Sequence, residues 1–552
     1  MISVFDIETH DWDKIYAIGY TFDGIDANMV YADNKGNDYF IKWLLENLPE
    51  GIIYSHNGGK FDNLFIFDYC IKHGIDVFAL KVIHSSLARF AIKYNGKRLE
   101  FRDSFLIMPA SLKNLTNSFN VAHKKLAMDY DLGINDLRFK EYFKNDILGL
   151  YELIKIAKAQ GLTNKLTIAS ASMHNYLENF YTKKPEPLAS KVKEFIKPFY
   201  YGGRCEVFKR YGRDLNYYDI NSLYPYVMQK YRYTDLDAQY YNSRQFSECG
   251  FYFCNIKTPQ MNIPFLPIKS NSGKLIFAQG SFKSVITGAE LKYARSLGYD
   301  INVIMGFIPQ STDYIFKEFV AAHYADKKNA QGAKREIAKL FLNSLYGKFG
   351  QKDMQKSYKM ARLKDIADKE IITDKDLEFI IGNYYLKPIE KLAIAKYSRL
   401  DIAMQITSNA RIELYNLFKR AEFDIYYCDT DSIFTPKELS TSSEIGDIKL
   451  ENRISEFVAI EPKFYAYKTT DGKEVVRSKG FKASDMDFNR IKDMLSSNTR
   501  ISSNYSHLNY FKDYIKKGIL YNYSIQKTSK SEYDKRMILA DGINTEPLSV
   551  NL

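Results

Sequence analysis

Residues 425–434, IYYCDTDSIF, set Asp429 and Asp431 one residue apart inside an otherwise apolar run. Aspartate is depleted in strands, and two carboxylates about 4 Å apart repel by ~4 kcal/mol at a surface-like effective dielectric of ~20. Asp-Thr-Asp-Ser is also turn chemistry. The stretch therefore predicts a hairpin from Ile425–Cys428 to Ile433–Phe434 with the acids at its tip. Two readings of that tip stay open at this point. One carboxylate can cap the opposite strand, or the pair can ligate a divalent cation that turns repulsion into attraction.

The rest of the chain frames the choice. At 552 residues it exceeds the ~250–300 that one hydrophobic core supports, so several domains are expected. Hydrophobic residues at 45% and charged residues at 26% are ordinary for a globular protein. The 44 tyrosines against 2 tryptophans fit an AT-rich coding bias and are not read wholesale as base-stackers. A net charge of +12 suits a polyanionic partner. Cys70, Cys205, Cys249, Cys254 and Cys428 form no C-x-x-C pair, which argues against a disulfide framework or a zinc site and for a reducing intracellular setting. The start, MISVFDIETH, lacks a basic leader, and no 18-residue apolar run occurs, so neither secretion nor a membrane partner is expected.

The first third alternates β and α. ISVFDIET, IYAIGYTF and NMVYA are three β-like runs, as in a meander. Residues 51–74 read as a strand, a Gly-rich loop and a helix stopped by Gly74. Asn95-Gly96 is a strong hairpin signal, and a helix through residues 140–160 ends at Gly161. Asp6 and Glu8 alternate onto one face of the first strand. Asp62 opens a helix, and Tyr142 and Asp146 share a helix face at i, i+4. Each acid alone has an ordinary explanation: a strand-edge charge, an N-cap, a solvated helix residue. Converging, four carboxylates would suit two hard cations for phosphodiester hydrolysis.

In KPFYYGGRCEVF (197–208), Gly202-Gly203 permits close backbone approach. YYDINSLYPYVM (217–228) is an apolar strand interrupted by Asp219 and a tight segment closed by Pro225. Residues 312–350 predict two helices broken near Gln331-Gly332. The second carries Arg335, Lys339, Asn343 and Tyr346 on one face and Ile337, Leu340, Phe341 and Leu345 on the other.

Taken in order, these motifs resemble the family B DNA polymerases. FDIET (5–9), HNGGKFD (56–62) and YFKND (142–146) look like the family's three proofreading-exonuclease motifs. DINSLYP (219–225), KLFLNSLYG (339–347) and YCDTDS (427–432) look like its polymerase motifs, and KFY (463–465) like its Lys-x-Tyr motif. The likeness is nearest to the protein-primed branch of bacteriophages and linear plasmids. The first motif begins at residue 5, SLKNL (111–115) and YYGG (200–203) resemble branch motifs, and long stretches at 256–310 and 351–395 lie where that branch carries terminal-protein regions.

The resemblance implies an α/β multidomain fold. An RNase H-like exonuclease (1–165) would precede a right-hand polymerase: palm (166–255 and 396–490), fingers (311–350), thumb (491–552) and insertions at 256–310 and 351–395. It implies that Asp219 and Asp431, supported by Asp429, hold two Mg²⁺ ions, with Mn²⁺ able to substitute. Tyr224 would exclude a 2′-hydroxyl, Lys327, Arg335 and Lys339 would face the triphosphate, and Asn343 and Tyr346 would line the nascent pair. Lys463 and Tyr465 would hold the primer end, and Tyr200, Gly202 and Gly203 would touch DNA. In the exonuclease, Asp6, Glu8, Asp62 and Asp146 would bind two ions, and Tyr142 would position water. His56, Asn57, Phe61, Phe65, Ser111 and Leu112 would grip single-stranded DNA. Primer-template, dNTPs and a terminal protein are the implied partners of a monomer. Residues 512–536, with Lys/Arg and Tyr interleaved, are expected to track duplex backbone.

Overall fold

The computed structural model describes every residue except 84, 130–131, 352–353, 367–378, 393–397, 482–484, 498–501, 529–532 and 552. The opening strand Ile2–His10 pairs antiparallel with Lys14–Thr21, which pairs with Asn28–Tyr31. On its other side Gly51–Ser55 and then Lys97–Asp103 add in parallel. Ser86–Tyr94 and Val77–Ile83 complete this seven-stranded sheet. The hairpin at Asn95-Gly96 has positive φ at both residues, 46° and 77°, the turn whose twist matches its strands. Strand alternation then sorts the side chains. Phe5 and Ile7 enter a core with Phe40, Leu44 and Phe67. Val4 enters the opposite core, with Phe139, Phe143 and Ile147 of the helix Leu137–Ala159. Asp6 and Glu8 share Val4's parity and face that helix.

A second seven-stranded sheet is antiparallel throughout. Its order is Glu474–Ser478, Phe464–Thr469, Ile448–Glu461, Tyr211–Ile220, Ser432–Thr435, Tyr427–Asp429 and Cys205–Val207. The helix Leu400–Arg420 is buried along most of its length behind it. The helices Lys317–Asn329 and Gly332–Phe349 are separated at Ala330-Gln331, as the sequence predicts, with Ile337, Phe341 and Leu345 buried and Arg335, Lys339 and Asn343 exposed.

A third sheet orders Tyr240–Asn242, Asp300–Pro309, Phe251–Lys257, Gln279–Thr287 and Ser549–Asn551. It departs from the expected divisions at two places. A boundary at 255/256 would cut the strand Phe251–Lys257. The end of the chain is not part of a separate thumb, because Ser549–Asn551 pairs in parallel with Gln279–Thr287 and Arg536–Ile538 pairs with Thr545–Pro547 over Val207 and Phe208.

The segment between them leans on the N-terminal module. Phe511, Tyr514 and Ile515 of the helix Phe511–Lys517 are buried in the same core as Phe67, and the Tyr514 hydroxyl donates to Asp68 Oδ1 at 3.0 Å. Tyr514 and Ile515 of the surface expected to track DNA are therefore packed, while Lys512, Lys516 and Lys517 stay exposed. In the 351–395 stretch, Met354–Arg362 pairs with Tyr384–Leu392. Tyr384 and Leu386 join the N-terminal core, and Arg362 pairs with Asp76 at 2.7 Å. Residues 352–353, 367–378 and 393–395 of that stretch lie outside the described residues.

Candidate active sites

Two acidic centres stand on different sheets. In the first, carboxylate oxygens of Asp6, Glu8 and Asp146 lie within 4.8 Å of one another. Asp62 adjoins them from the helix Asp62–Lys72 and is 3% exposed. Burial, then the charges of Asp62, Glu8 and Asp146, push the Asp6 carboxyl well above its ordinary range. Burial lifts Glu8 to about 7 and Asp62 to about 8. Asp62 Oδ1 and Asp146 Oδ1 are buried without a hydrogen-bond partner.

Among the described residues, Lys125 is the cation that answers this cluster. Lys125 Nζ pairs with Asp146 Oδ2 and donates to the Tyr142 hydroxyl at 2.9 Å. Burial would lower the Lys125 ammonium, but Asp146, Asp6 and Glu8 together hold it above its ordinary range. Sequence reasoning missed Lys125. It lies in an irregular segment between helices, where a lysine looks like any solvated charge.

The loop HNGGKFD is folded around its glycines. A Cβ on Gly58 would lie 1.7 Å from Ser55 Oγ, and one on Gly59 2.1 Å from Ser86 Oγ, so no larger residue fits. His56 Nδ1 bonds Ser104 Oγ at 3.0 Å and Nε2 bonds the Ala110 carbonyl at 2.8 Å. Burial drops its pKa to about 4, so at neutral pH the ring is an uncharged brace. A cleft of about 360 Å³ opens here, walled by Asp6, Asp62, Asn57, Lys60, Phe61, Trp12 and, from the C-terminal segment, His507 and Tyr510. Three expected DNA contacts sit elsewhere. Phe65 is 2% exposed and packs edge-on beneath Phe61. Ser111 spends its hydroxyl capping the helix Leu112–Ser118 by accepting from Asn114 N, and neither Ser111 nor Leu112 is among the cleft walls.

The second centre answers the question posed by residues 425–434. Tyr427–Asp429 and Ser432–Thr435 form the predicted hairpin, with Thr430 and Asp431 as its two-residue turn. Ser432 pairs with Asp219 on the neighbouring strand, and Ile220 N donates to Asp431 O at 2.8 Å. The three acids thus stand together at one rim of the sheet, across the ends of neighbouring strands. Burial, followed by Asp219 and Asp429, lifts Asp431 to about 7. Asp219 is raised by burial, with Lys449 opposing. Lys463 Nζ sits 3.2 Å from Asp429 Oδ2. Gly203 packs against the turn: a Cβ there would lie 2.9 Å from Thr430 Cγ2. Gly202 offers its carbonyl to Arg411, and the Tyr200 hydroxyl lies against Gly350.

Cations face this rim. Lys327 Nζ donates to Ser222 Oγ at 2.7 Å, and its ammonium is lowered by burial and then by Lys339, Lys449 and Arg335, while Asp219 raises it. Tyr224 and Tyr346 stack with centroids 4.0 Å apart and planes 12° apart. On the other side a cleft of about 720 Å³ is lined by Asp429, Asp431, Lys463 and Tyr465, joined by Arg477 and Lys479, which the sequence reading did not single out.

The profile of the family described as DNA polymerase type B, organellar and viral, matches residues 47–138 and 134–423. The chain belongs to that family. It is 28% identical over 553 residues to a Podospora anserina protein named "Probable DNA polymerase", covering 82% of this chain and 45% of that protein. It is 28% identical over 517 residues to the "DNA-directed DNA polymerase" of Enterobacteria phage PRD1, covering 87% of this chain and 85% of the other. This polymerase-family chain thus spans about half the length of the Podospora relative. Its fold is that of Phi29 DNA polymerase, solved with primer-template DNA and incoming nucleotide: TM-score 0.75, 20% identity, 96% of this chain and 100% of that one. Among the described residues no helix is long and apolar enough to cross a membrane.

Proposed function

We propose that this chain is a template-directed DNA polymerase with a 3′–5′ proofreading exonuclease, and that it starts strands on a hydroxyl of a terminal protein. The observation that carries the polymerase reading is the sheet rim where Asp219 meets the Asp429–Asp431 turn, faced by Lys327, Arg335 and Lys339. Such a face suits the triphosphate of a dNTP, with Asn343 beside the nascent base pair. The Tyr224–Tyr346 stack gives a flat, rigid floor that suits a sugar without a 2′-oxygen. Lys463, Tyr465, Arg477 and Lys479 supply donors and cations for the primer backbone.

Both centres suit hard divalent cations. Their donors are all carboxylate oxygens, and the first holds buried oxygens with no partner of their own. Asp219 and Asp431 with Asp429, and Asp6, Glu8, Asp62 and Asp146, would each hold two Mg²⁺ or Mn²⁺ ions, which acidify the attacking oxygen and offset charge on the leaving group. Tyr142 and Lys125 then orient the water side of the exonuclease. Phe61, Trp12 and Asn57 line the path of a frayed single strand.

The relatives support the DNA partners: Phi29 DNA polymerase has been solved with primer-template DNA and with single-stranded DNA. Protein priming rests on SLKNL, YYGG and the two long stretches between polymerase motifs. The enzyme would act as a monomer inside the cell, where its free cysteines stay reduced. Two assays on one preparation test the proposal. With Mg²⁺, dNTPs and primer-template it should extend primers. With one labelled nucleotide and the terminal protein of the same genetic element, it should leave a phosphodiester-linked nucleotide on a Ser, Thr or Tyr. Extension without the adduct would leave a polymerase of RNA or DNA primers only. Absence of both would end the polymerase reading.

A further inference from the structure

Behind the acidic turn lies a buried charge cluster that none of the proposed chemistry uses. Arg204 follows Gly202-Gly203 directly, and its side chain is 3% exposed. Its Nε donates to Glu206 Oε2 at 2.6 Å and its Nη1 to the Pro264 carbonyl at 2.7 Å. Its guanidinium lies 3.9 Å from the Phe277 ring centroid. Glu206, fully buried, also faces Arg536. Arg536 donates to Thr545 Oγ1 at 2.8 Å and to the Asn262 carbonyl at 2.9 Å.

Stability does not account for this cluster. Two arginines and one glutamate leave a net buried charge, and Glu206 Oε1 and Arg536 Nη1 are buried without hydrogen-bond partners. A buried ion pair costs desolvation that apolar side chains of similar volume would avoid. Its location offers a different reason. Cys205 and Glu206 pair directly with Asp429 and Cys428. The Arg204 carbonyl accepts from Thr430 N at 2.7 Å, and Thr430 sits at φ 61°, a left-handed conformation that a β-branched residue holds only when its surroundings impose it. The cluster pins the strand that imposes it, and draws on three distant segments: residues 262–277, the strand Cys205–Val207, and the C-terminal hairpin.

We infer that Arg204 and Glu206 are positioning residues for nucleotide addition, their buried ion pair fixing the edge strand that holds Thr430 left-handed and so setting where Asp429 and Asp431 stand relative to Asp219. The inference rests on the polymerase reading above and deepens it.

The test uses the full chain carrying Asp6→Ala and Glu8→Ala, so that the first acidic centre does not dominate cation binding. Into it go Arg204→Met, Glu206→Gln and, separately, Thr430→Gly, which frees the turn without disturbing the buried cluster. Mn²⁺ binding is followed by loss of the free-ion paramagnetic resonance signal. Single-nucleotide addition is followed against Mg²⁺ and dNTP concentration, and primer-template affinity by gel shift. For all three variants the Mn²⁺ affinity is expected to fall several-fold. The half-maximal Mg²⁺ concentration should rise in parallel and the addition rate drop about 10- to 100-fold, with primer-template affinity and the KM for dNTP within about twofold. Unchanged Mn²⁺ affinity, or a loss of DNA affinity matching the loss of rate, would overturn the inference. Should Arg204→Met fail to fold, Glu206→Gln, which keeps the shape and loses the charge, decides. Should the parent add no nucleotide at all, the polymerase reading fails, while the Mn²⁺ titration still judges the positioning claim.

Discussion

The two acidic centres solve one electrostatic problem in opposite ways. The N-terminal one is deep: Asp62 and Asp146 are 3% and 2% exposed, three oxygens already cluster, and among the described residues Lys125 answers Asp146, Asp6 and Glu8. The central one lies at a sheet rim beside a broad cleft, and several cations (Lys449, Lys463, Lys327) share the balancing. A deep site fixes its ligands by packing, and burial raises the pKa of its acids. A rim site fixes them by a turn and leaves room for a large ligand. On the function proposed above, the difference suits the first to a single-strand end and the second to a duplex.

The sharpest way to break this contrast is to remove each centre in turn. Asp219→Asn or Asp431→Asn is expected to lower nucleotide addition by at least about 10³-fold while single-strand degradation and primer-template binding persist. Asp6→Ala with Glu8→Ala should do the reverse. Both activities are read on each purified variant, and parallel losses in a folded protein would mean that the centres are not independent. Lys125→Met comes next: degradation should fall about 10²-fold with addition unchanged, the scale of a lost positioned proton donor or charge. A smaller fall would make Lys125 a spectator that only balances charge. Tyr224→Val should then raise ribonucleotide relative to deoxyribonucleotide incorporation about 10- to 100-fold, since it removes one ring of the stack. An unchanged ratio would reduce that tyrosine to packing.

The smallest effect sharpens the comparison through pH. Asp62 at about 8 and Glu8 at about 7 stand above the ~4 of an unfolded carboxylate. Between those values the folded chain binds more protons than the unfolded one, so its stability falls as pH rises through that window. The melting temperature without divalent cation should drop by several degrees from pH 5.5 to pH 8. Mn²⁺, which favours the ionised acids, should recover more at pH 8. Asp6→Ala with Glu8→Ala should flatten the slope more than Asp219→Asn does, because Asp219 is less buried. Equal flattening would erase the deep-versus-rim distinction.

Much of this was legible in the sequence where chemistry is local. The acidic hairpin, the Asn95-Gly96 turn, the break before Gly332 and the alternating Asp6 and Glu8 each follow from turn residues or periodicity. What escaped depends on distant contacts. Lys125 gains meaning only because the irregular segment around it folds back over Tyr142. Phe65 follows Phe61 by four residues, so both lie toward one side of a helix start, yet depth decides that one lines a cleft and the other supports it. Ser549–Asn551 is three residues long, too short for any pattern, and its place is set by the strand Gln279–Thr287. Trp12 and Tyr510 wall one cleft from opposite ends of the chain, a meeting that no local signal records.

The path of the C-terminal segment carries one last consequence. It first buries Phe511 and Tyr514 in the N-terminal module, then returns to seat Arg536 and Ser549–Asn551 among the central elements. The stretch 181–189, irregular between the helices Ile168–Asn179 and Ser190–Ile196, is therefore not the sole tether between the N-terminal and central elements. A chain nicked there would still migrate as one particle, and two fragments divided at that point, made separately, should find each other and restore both activities, clasped by a tail that belongs to one and grips the other.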